Sequence, residues 1–225
     1  MNMRRRFLLP LALIVLAASG SASADPNLTG RYRLVDGPDV ASQLELTPDG
    51  RFRYFLSAGA LDEWTQGRWE RKGSSFCLIT EPKPVPPEFS RASSKPGPKP
   101  SPKPSEEQEA TLLVTWPDGQ GIPGVDFRIG FDSGEPLEGY TQYYGWTMPA
   151  DDPRIPRWIE LSEPIHGLRS PRFDLAEGDR GKLHIVLIPN DLGLVDFTGA
   201  CLEPSDNGVV LHRKEGDMRF VRIEK

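Results

Sequence analysis

Leu44-Glu45-Leu46-Thr47-Pro48-Asp49-Gly50-Arg51-Phe52-Arg53-Tyr54-Phe55-Leu56 is the stretch that decides the fold. Apolar and polar residues alternate on both sides of Thr47-Pro48-Asp49-Gly50, the period of a strand rather than a helix. Proline presets φ and glycine accepts φ > 0, so these four residues carry the chemistry of a tight turn. The returning limb places Phe52, Tyr54 and Leu56 on one face. This is an antiparallel hairpin with one apolar side that has to be covered.

The same pattern continues outward. Gly30–Leu34 precedes the hairpin, and Gly67-Arg68-Trp69-Glu70 and Ser75-Phe76-Cys77-Leu78-Ile79 follow it around Arg71-Lys72-Gly73. At the far end, Val209–His212 and Met218–Ile223 flank a turn at Lys214-Glu215-Gly216-Asp217. An isolated hairpin is marginal in water, so this last pair is expected to complete the first meander. Between them, strands are expected at Thr111–Trp116, Val125–Phe131, Gly139–Tyr144, Arg157–Leu161 and Lys182–Ile188, the last apolar enough for the centre of a sandwich. Proline (23) and glycine (22) make up about a fifth of the 225 residues, as many short strands require.

The sequence therefore predicts an all-β protein. A barrel-like meander over 25–81 is closed by the C-terminal hairpin of 194–225, with a β-sandwich over 109–193 inserted between them. Two sequential domains, with the last hairpin in the second, is the competing arrangement. Residues 82–108 hold nine of the prolines and Lys83, Lys95, Lys99 and Lys103. Proline at every second position from 96 to 104 favours polyproline II, so this stretch reads as a stiff basic spacer or disordered linker.

Residues 1–24 read as a signal peptide. Arg4-Arg5-Arg6 is a basic start, Phe7–Ala18 an apolar run broken only by Pro10, and Ala22-Ser23-Ala24 a cleavage site. The run is shorter than the ~20 residues a spanning helix needs, so no membrane span is expected after cleavage. The expected location is the periplasm or the medium. With 32 Asp+Glu against 27 Lys+Arg, three of which leave with the leader, the exported chain is acidic and poorly suited to nucleic acid. Cys77 and Cys201, an even pair in an oxidising compartment, are disulfide candidates. Two buried free thiols in separate layers is the other reading.

Two stretches carry family resemblances. Trp116-Pro117-Asp118-Gly119-Gln120-Gly121-Ile122-Pro123-Gly124-Val125-Asp126-Phe127, with Gly139-Tyr140-Thr141 and Gly145-Trp146 downstream, resembles transthyretin-like or carboxypeptidase-regulatory-like modules. Gly121 is an extra residue in the first turn. The resemblance implies a prealbumin-like sandwich with an accessory role in folding, spacing or binding. The end segments resemble small exported lipocalin-like barrels through Gly30-Arg31-Tyr32, Leu44–Phe52, Gly67-Arg68-Trp69 and Met218-Arg219-Phe220-Val221-Arg222, with Tyr32 where those barrels carry tryptophan. That likeness implies an apolar-ligand carrier or an envelope accessory factor.

No nucleophile elbow, phosphate loop, dinucleotide fingerprint or H-E-x-x-H stands in the chain. No cofactor and no metal site are expected. His184 and His212 read as sheet residues. His166 as base, Ser170 as nucleophile and Asp174 as orienter would make a hydrolase, against ordinary turn chemistry. Asp62-Glu63 and Asp151-Asp152 read as solvated turns, since adjacent carboxylates on extended backbone point apart. The remaining signal is aromatic: Tyr140, Tyr143, Tyr144 and Trp146 crowd one predicted hairpin, with Trp158 downstream. Alternation puts Tyr140 and Tyr144 on the face opposite Tyr143, so the set cannot all be core. Exposed rings with polar tips suit sugars, peptides or a partner protein. The function expected is a non-enzymatic binding or accessory module of the cell envelope, its partner another envelope protein or a cell-wall polymer. A small apolar-ligand carrier is the alternative, and a hydrolase the third.

Overall fold

The structure, a computed structural model, describes residues 27–35, 37, 39–92, 111–176, 179 and 182–223. The expected signal peptide and the 93–108 part of the Pro/Lys-rich stretch lie outside the described residues. Five strands open the chain: β1 (Gly30–Leu34), β2 (Val40–Leu46), β3 (Arg51–Ala58), β4 (Leu61–Lys72) and β5 (Ser75–Thr80). Then come β6 (Glu88–Arg91), β7 (Leu112–Thr115), β8 (Asp126–Phe131), β9 (Leu137–Tyr140), β10 (Pro156–Glu163), β11 (Leu168–Arg169), β12 (Phe173–Asp174) and β13 (Leu183–Ile188). The chain ends with β14 (Cys201–Ser205), β15 (Gly208–Arg213) and β16 (Gly216–Arg222).

The first five and last three strands close into one antiparallel barrel, β1-β2-β3-β4-β5-β14-β15-β16, with β16 returning to β1. The hairpin that decided the fold sits at its heart. Leu46 faces Phe52 and Leu44 faces Tyr54 across the β2–β3 ladder, and Gly50 takes φ 78° in the turn. Phe52, Tyr54 and Leu56 all point inward, with Tyr32, Leu44, Leu46, Trp69, Phe76, Leu78, Leu202, Leu211 and Phe220. Gly67 is required in β4, because a Cβ there would lie 1.9 Å from the Ile79 carbonyl oxygen. Phe197, which precedes β14, enters the same core with its ring 4.7 Å from Tyr54 and 6.4 Å from Phe52. These side chains form the interior of the barrel, whose eight strands leave a width that side chains can span.

Two joints unite the sequence halves, β16–β1 and the shorter β5–β14. The latter is paired only at Cys201↔Cys77 and Leu202↔Phe76, and the two cysteines form a disulfide with Cα atoms 3.9 Å apart. Pro204 lies beyond that short ladder, where β14 has a partner only on the β15 side, so its missing N–H costs the sheet nothing.

The middle of the chain forms two further sheets. One has the order β11-β10-β8-β9, with β12 also on β10; the other is β6-β13-β7, in which β13 and β7 run parallel. Phe127, Ile129, Ile159 and Leu161 from the first pack with Phe89, Leu112, Val114, Leu183, Ile185 and Leu187 from the second in one core. Strand β6 falls within the stretch expected to be linker. Its Phe89 is buried in that core and Glu88–Arg91 pair with Ile188–Ile185. A single anchored aromatic thus overrides a proline-rich composition. The two passages joining barrel and sandwich meet each other, with Asp191 N–H donating to the Val85 carbonyl (3.2 Å) and Val85 N–H to Asp191 Oδ2 (2.8 Å). The second also meets β4, whose Trp64 N–H donates to the Gly193 carbonyl (2.8 Å).

Candidate binding site

Strand β9 ends at Tyr140, four residues earlier than alternation suggests. Thr141, fully buried, turns the chain inward. Its hydroxyl donates to the Ile122 carbonyl (2.6 Å) and accepts from Val125 N–H (3.1 Å), while its own N–H donates to the Val125 carbonyl (2.9 Å). Gln142-Tyr143-Tyr144-Gly145 is then a tight turn, with Gly145 N–H donating to the Gln142 carbonyl (2.8 Å) and Gly145 at φ 86°. Beyond it, Trp146 and Leu112 exchange both main-chain hydrogen bonds (2.8 and 3.0 Å), and the Trp146 ring lies 4.9 Å from Phe127. One foot of the turn is therefore fastened to the five-stranded sheet and the other to the three-stranded sheet. Gly121, the extra residue of the preceding turn, has a role here: a Cβ on it would lie 1.8 Å from the Tyr143 carbonyl oxygen. Only glycine lets the two turns lie against each other.

This frame presents three rings to solvent. Tyr140, Tyr143 and Tyr144 are 60, 62 and 61% exposed, the highest values among the large apolar and aromatic side chains described. The other two tyrosines, Tyr32 and Tyr54, are buried in the barrel. Because the chain leaves the strand after Tyr140, alternation does not apply, and Tyr143 and Tyr144 share the tip of one turn. Trp146 is different in kind: it packs partly into the core and fastens the turn.

Tyr140 also begins a polar cleft on the outer face of the five-stranded sheet, of about 820 Å³, lined by Asp126, Arg128, Glu138, Tyr140, Glu160 and Arg169 among others. The register explains the grouping. Tyr140 lies opposite Asp126 and Asp126 opposite Ser162, while Glu138, Arg128 and Glu160 form the next row. Arg128 pairs with Glu138 (3.5 Å) and Arg172 with Glu160 (2.9 Å). Trp158 is not free to bind: Gly130 lies beneath it and the Arg172 guanidinium 4.0 Å above its ring. The cleft was hidden from sequence reading, because cross-strand neighbours are set by register and a one-residue slip would scatter them.

The other candidates have structural partners. Glu163 accepts from the N–H groups of Ile165 (3.1 Å) and His166 (2.8 Å), with its Oε2 also 3.0 Å from His166 Nδ1. Ser170 accepts from Leu161 N–H (2.8 Å) and donates to the Pro171 carbonyl (2.7 Å). Asp174 is in β12, opposite Trp158. Among the described residues no hydrogen bond joins His166, Ser170 and Asp174. His184 meets Thr115 Oγ1 at 3.0 Å, and burial pushes its pKa down. His212 lies between Asp217 (2.8 Å) and Glu203 (3.2 Å), and its hydrogen bond to Asp217 raises its pKa. Glu63 turns inward to Arg213 (2.9 Å). Asp152 clasps Arg154 (2.6 Å), which holds its carboxyl below the usual range.

At one end of the barrel Arg222 lines an open pocket of about 750 Å³ with Leu28, Tyr32 and Phe76. The Arg222 guanidinium lies 5.0 Å from the Tyr32 ring centre, donates to the Tyr32 hydroxyl (2.8 Å), and reaches the carbonyls of Asn27 and Thr29. Comparisons with protein families, with curated proteins and with solved structures find no match for the chain.

Proposed function

We propose that this protein is an exported, non-catalytic binding module of the cell envelope, in which the barrel is scaffold and the tyrosine turn of the sandwich is the contact surface. The observation that carries this reading is the division of the tyrosines: two are buried in the barrel and three, close together in the chain, face water. Turn tips are usually built from Gly, Asn, Asp, Ser or Pro. Tyr143 and Tyr144 give the turn nothing that smaller residues would not, whereas an exposed, low-entropy aromatic is what recognition surfaces use. The disulfide fits an oxidising compartment, in keeping with the leader expected from residues 1–24. A carrier role has less support, because Phe197 and the inward aromatic residues pack as one core inside the barrel.

A photo-crosslinking residue at position 143 tests this. It should yield a discrete adduct with an envelope component in intact cells, while the same residue at Phe55, an exposed ring on the barrel, should not. Equal crosslinking from both positions, or none from 143, contradicts the proposal.

A further inference from the structure

The geometry points to an uncharged glycan chain as the ligand of the cleft that starts at Tyr140; this rests on the reading of the protein as an envelope binding module and names its substrate class. The argument starts from charge. The lining acids Asp126, Glu138 and Glu160 stand beside the lining arginines Arg128 and Arg169. The third acid, Glu160, is neutralised by Arg172 from outside the cleft, while Glu138 is paired with Arg128. A polyanion or a polycation entering here would meet as much repulsion as attraction. An uncharged polyol meets only hydrogen-bonding groups, and these have the right shape. A carboxylate accepts from two neighbouring hydroxyls and a guanidinium donates two parallel N–H groups, so each can grip a pair of adjacent sugar oxygens. Ion pairing leaves part of that capacity open, since each carboxylate has about four acceptor sites and each guanidinium five donors.

The aromatic contribution is equally specific. Tyr140 stands at the edge of these charges with more than half its surface exposed, so its electron-rich face is open to the C–H side of a pyranose ring. The cleft volume is within the range of small-molecule sites. A protein partner fits less well, because the centres of protein interfaces are depleted in charged residues, and this face is dominated by them. Tyr143 and Tyr144, next along the chain, lie where a longer polymer could continue.

The test is a glycan array carrying uncharged, acidic and basic oligosaccharides, probed with the exported protein at low and high salt. Retention on uncharged glycans is expected, nearly independent of salt because no counterions are released. Tyr140→Ala and Glu160→Gln should each weaken it at least tenfold with unchanged melting temperature. Hydroxyl-radical footprinting of the unmutated protein with its best glycan should protect Tyr140 and leave Phe55 reactive, so the result does not depend on how the variants fold. Retention confined to charged glycans, no retention at all, or binding and footprint indifferent to Tyr140 overturns the assignment. If it falls while position 143 still crosslinks to an envelope protein, the binding-module reading survives without the glycan; if both fail, both are wrong.

Discussion

Replacing Cys77 or Cys201 by serine is expected to cost the protein about 5 kcal/mol, the value the chain-entropy account assigns to a bridge closing so long a loop. The bridged residues are 124 apart in sequence. The bond spans one of the two barrel joints that the order of the chain does not supply, the other being β16–β1. Strands β1 to β5 are joined to one another by short turns, as are β14 to β16, but β5 and β14 meet only after the whole inserted sandwich. Their ladder is two residue pairs long, against seven for β2–β3. Without the bond, that joint keeps those pairs, the hydrogen bonds from Leu78 N–H to the Ala200 carbonyl (2.8 Å) and Gly199 N–H to the Leu78 carbonyl (3.1 Å), and those of Thr80 with Phe197 (2.8 Å) and Thr198 (3.3 Å). Urea unfolding of each single variant and of the double variant checks this. All three should lose the same amount, since each removes the same bond, and a loss under about 1 kcal/mol would show the joint to be self-sufficient.

Phe197→Ala is expected to cost about 3–5 kcal/mol, the range for deleting a buried phenylalanine ring. Phe197 is buried against Phe52 and Tyr54, and the Arg213 guanidinium lies 5.2 Å from its ring centre. Arg213 is itself nearly covered, held by Glu63 (2.9 Å) and donating to the Tyr54 hydroxyl (3.1 Å). Truncation would therefore open a cavity and uncover one side of a buried ion pair together. The variant should melt well below the parent and take up an apolar dye that the parent excludes. A parent that already takes up the dye would favour the carrier reading over a filled barrel.

The parts of the fold that were legible are those in which local chemistry and long-range packing agree. The 44–56 hairpin states its turn, its period and its buried face within thirteen residues, and the C-terminal hairpin needed a sheet to join. Strand β14 was not legible. Cys201-Leu202-Glu203-Pro204-Ser205 alternates weakly and carries a proline, and it is a strand because β15 and the disulfide hold it. Strand β6 was masked by the prolines before it. In the candidate site, the aromatic residues could be counted from sequence but not oriented. High β propensity extended β9 through Tyr144, although Gly145, at φ 86°, was the mark of a turn. The charged row beside Tyr140 needed register, which no single strand encodes.

The most direct test of the central claim is a triple variant, Tyr140→Ala with Tyr143→Ala and Tyr144→Ala, carrying both a melting curve and a measurement of envelope binding. All three rings are more than half exposed, so the melting temperature should stay within a few degrees of the parent while binding to purified envelopes is lost. A variant that still binds, or one that loses its fold along with its binding, would contradict the assignment of these tyrosines to recognition.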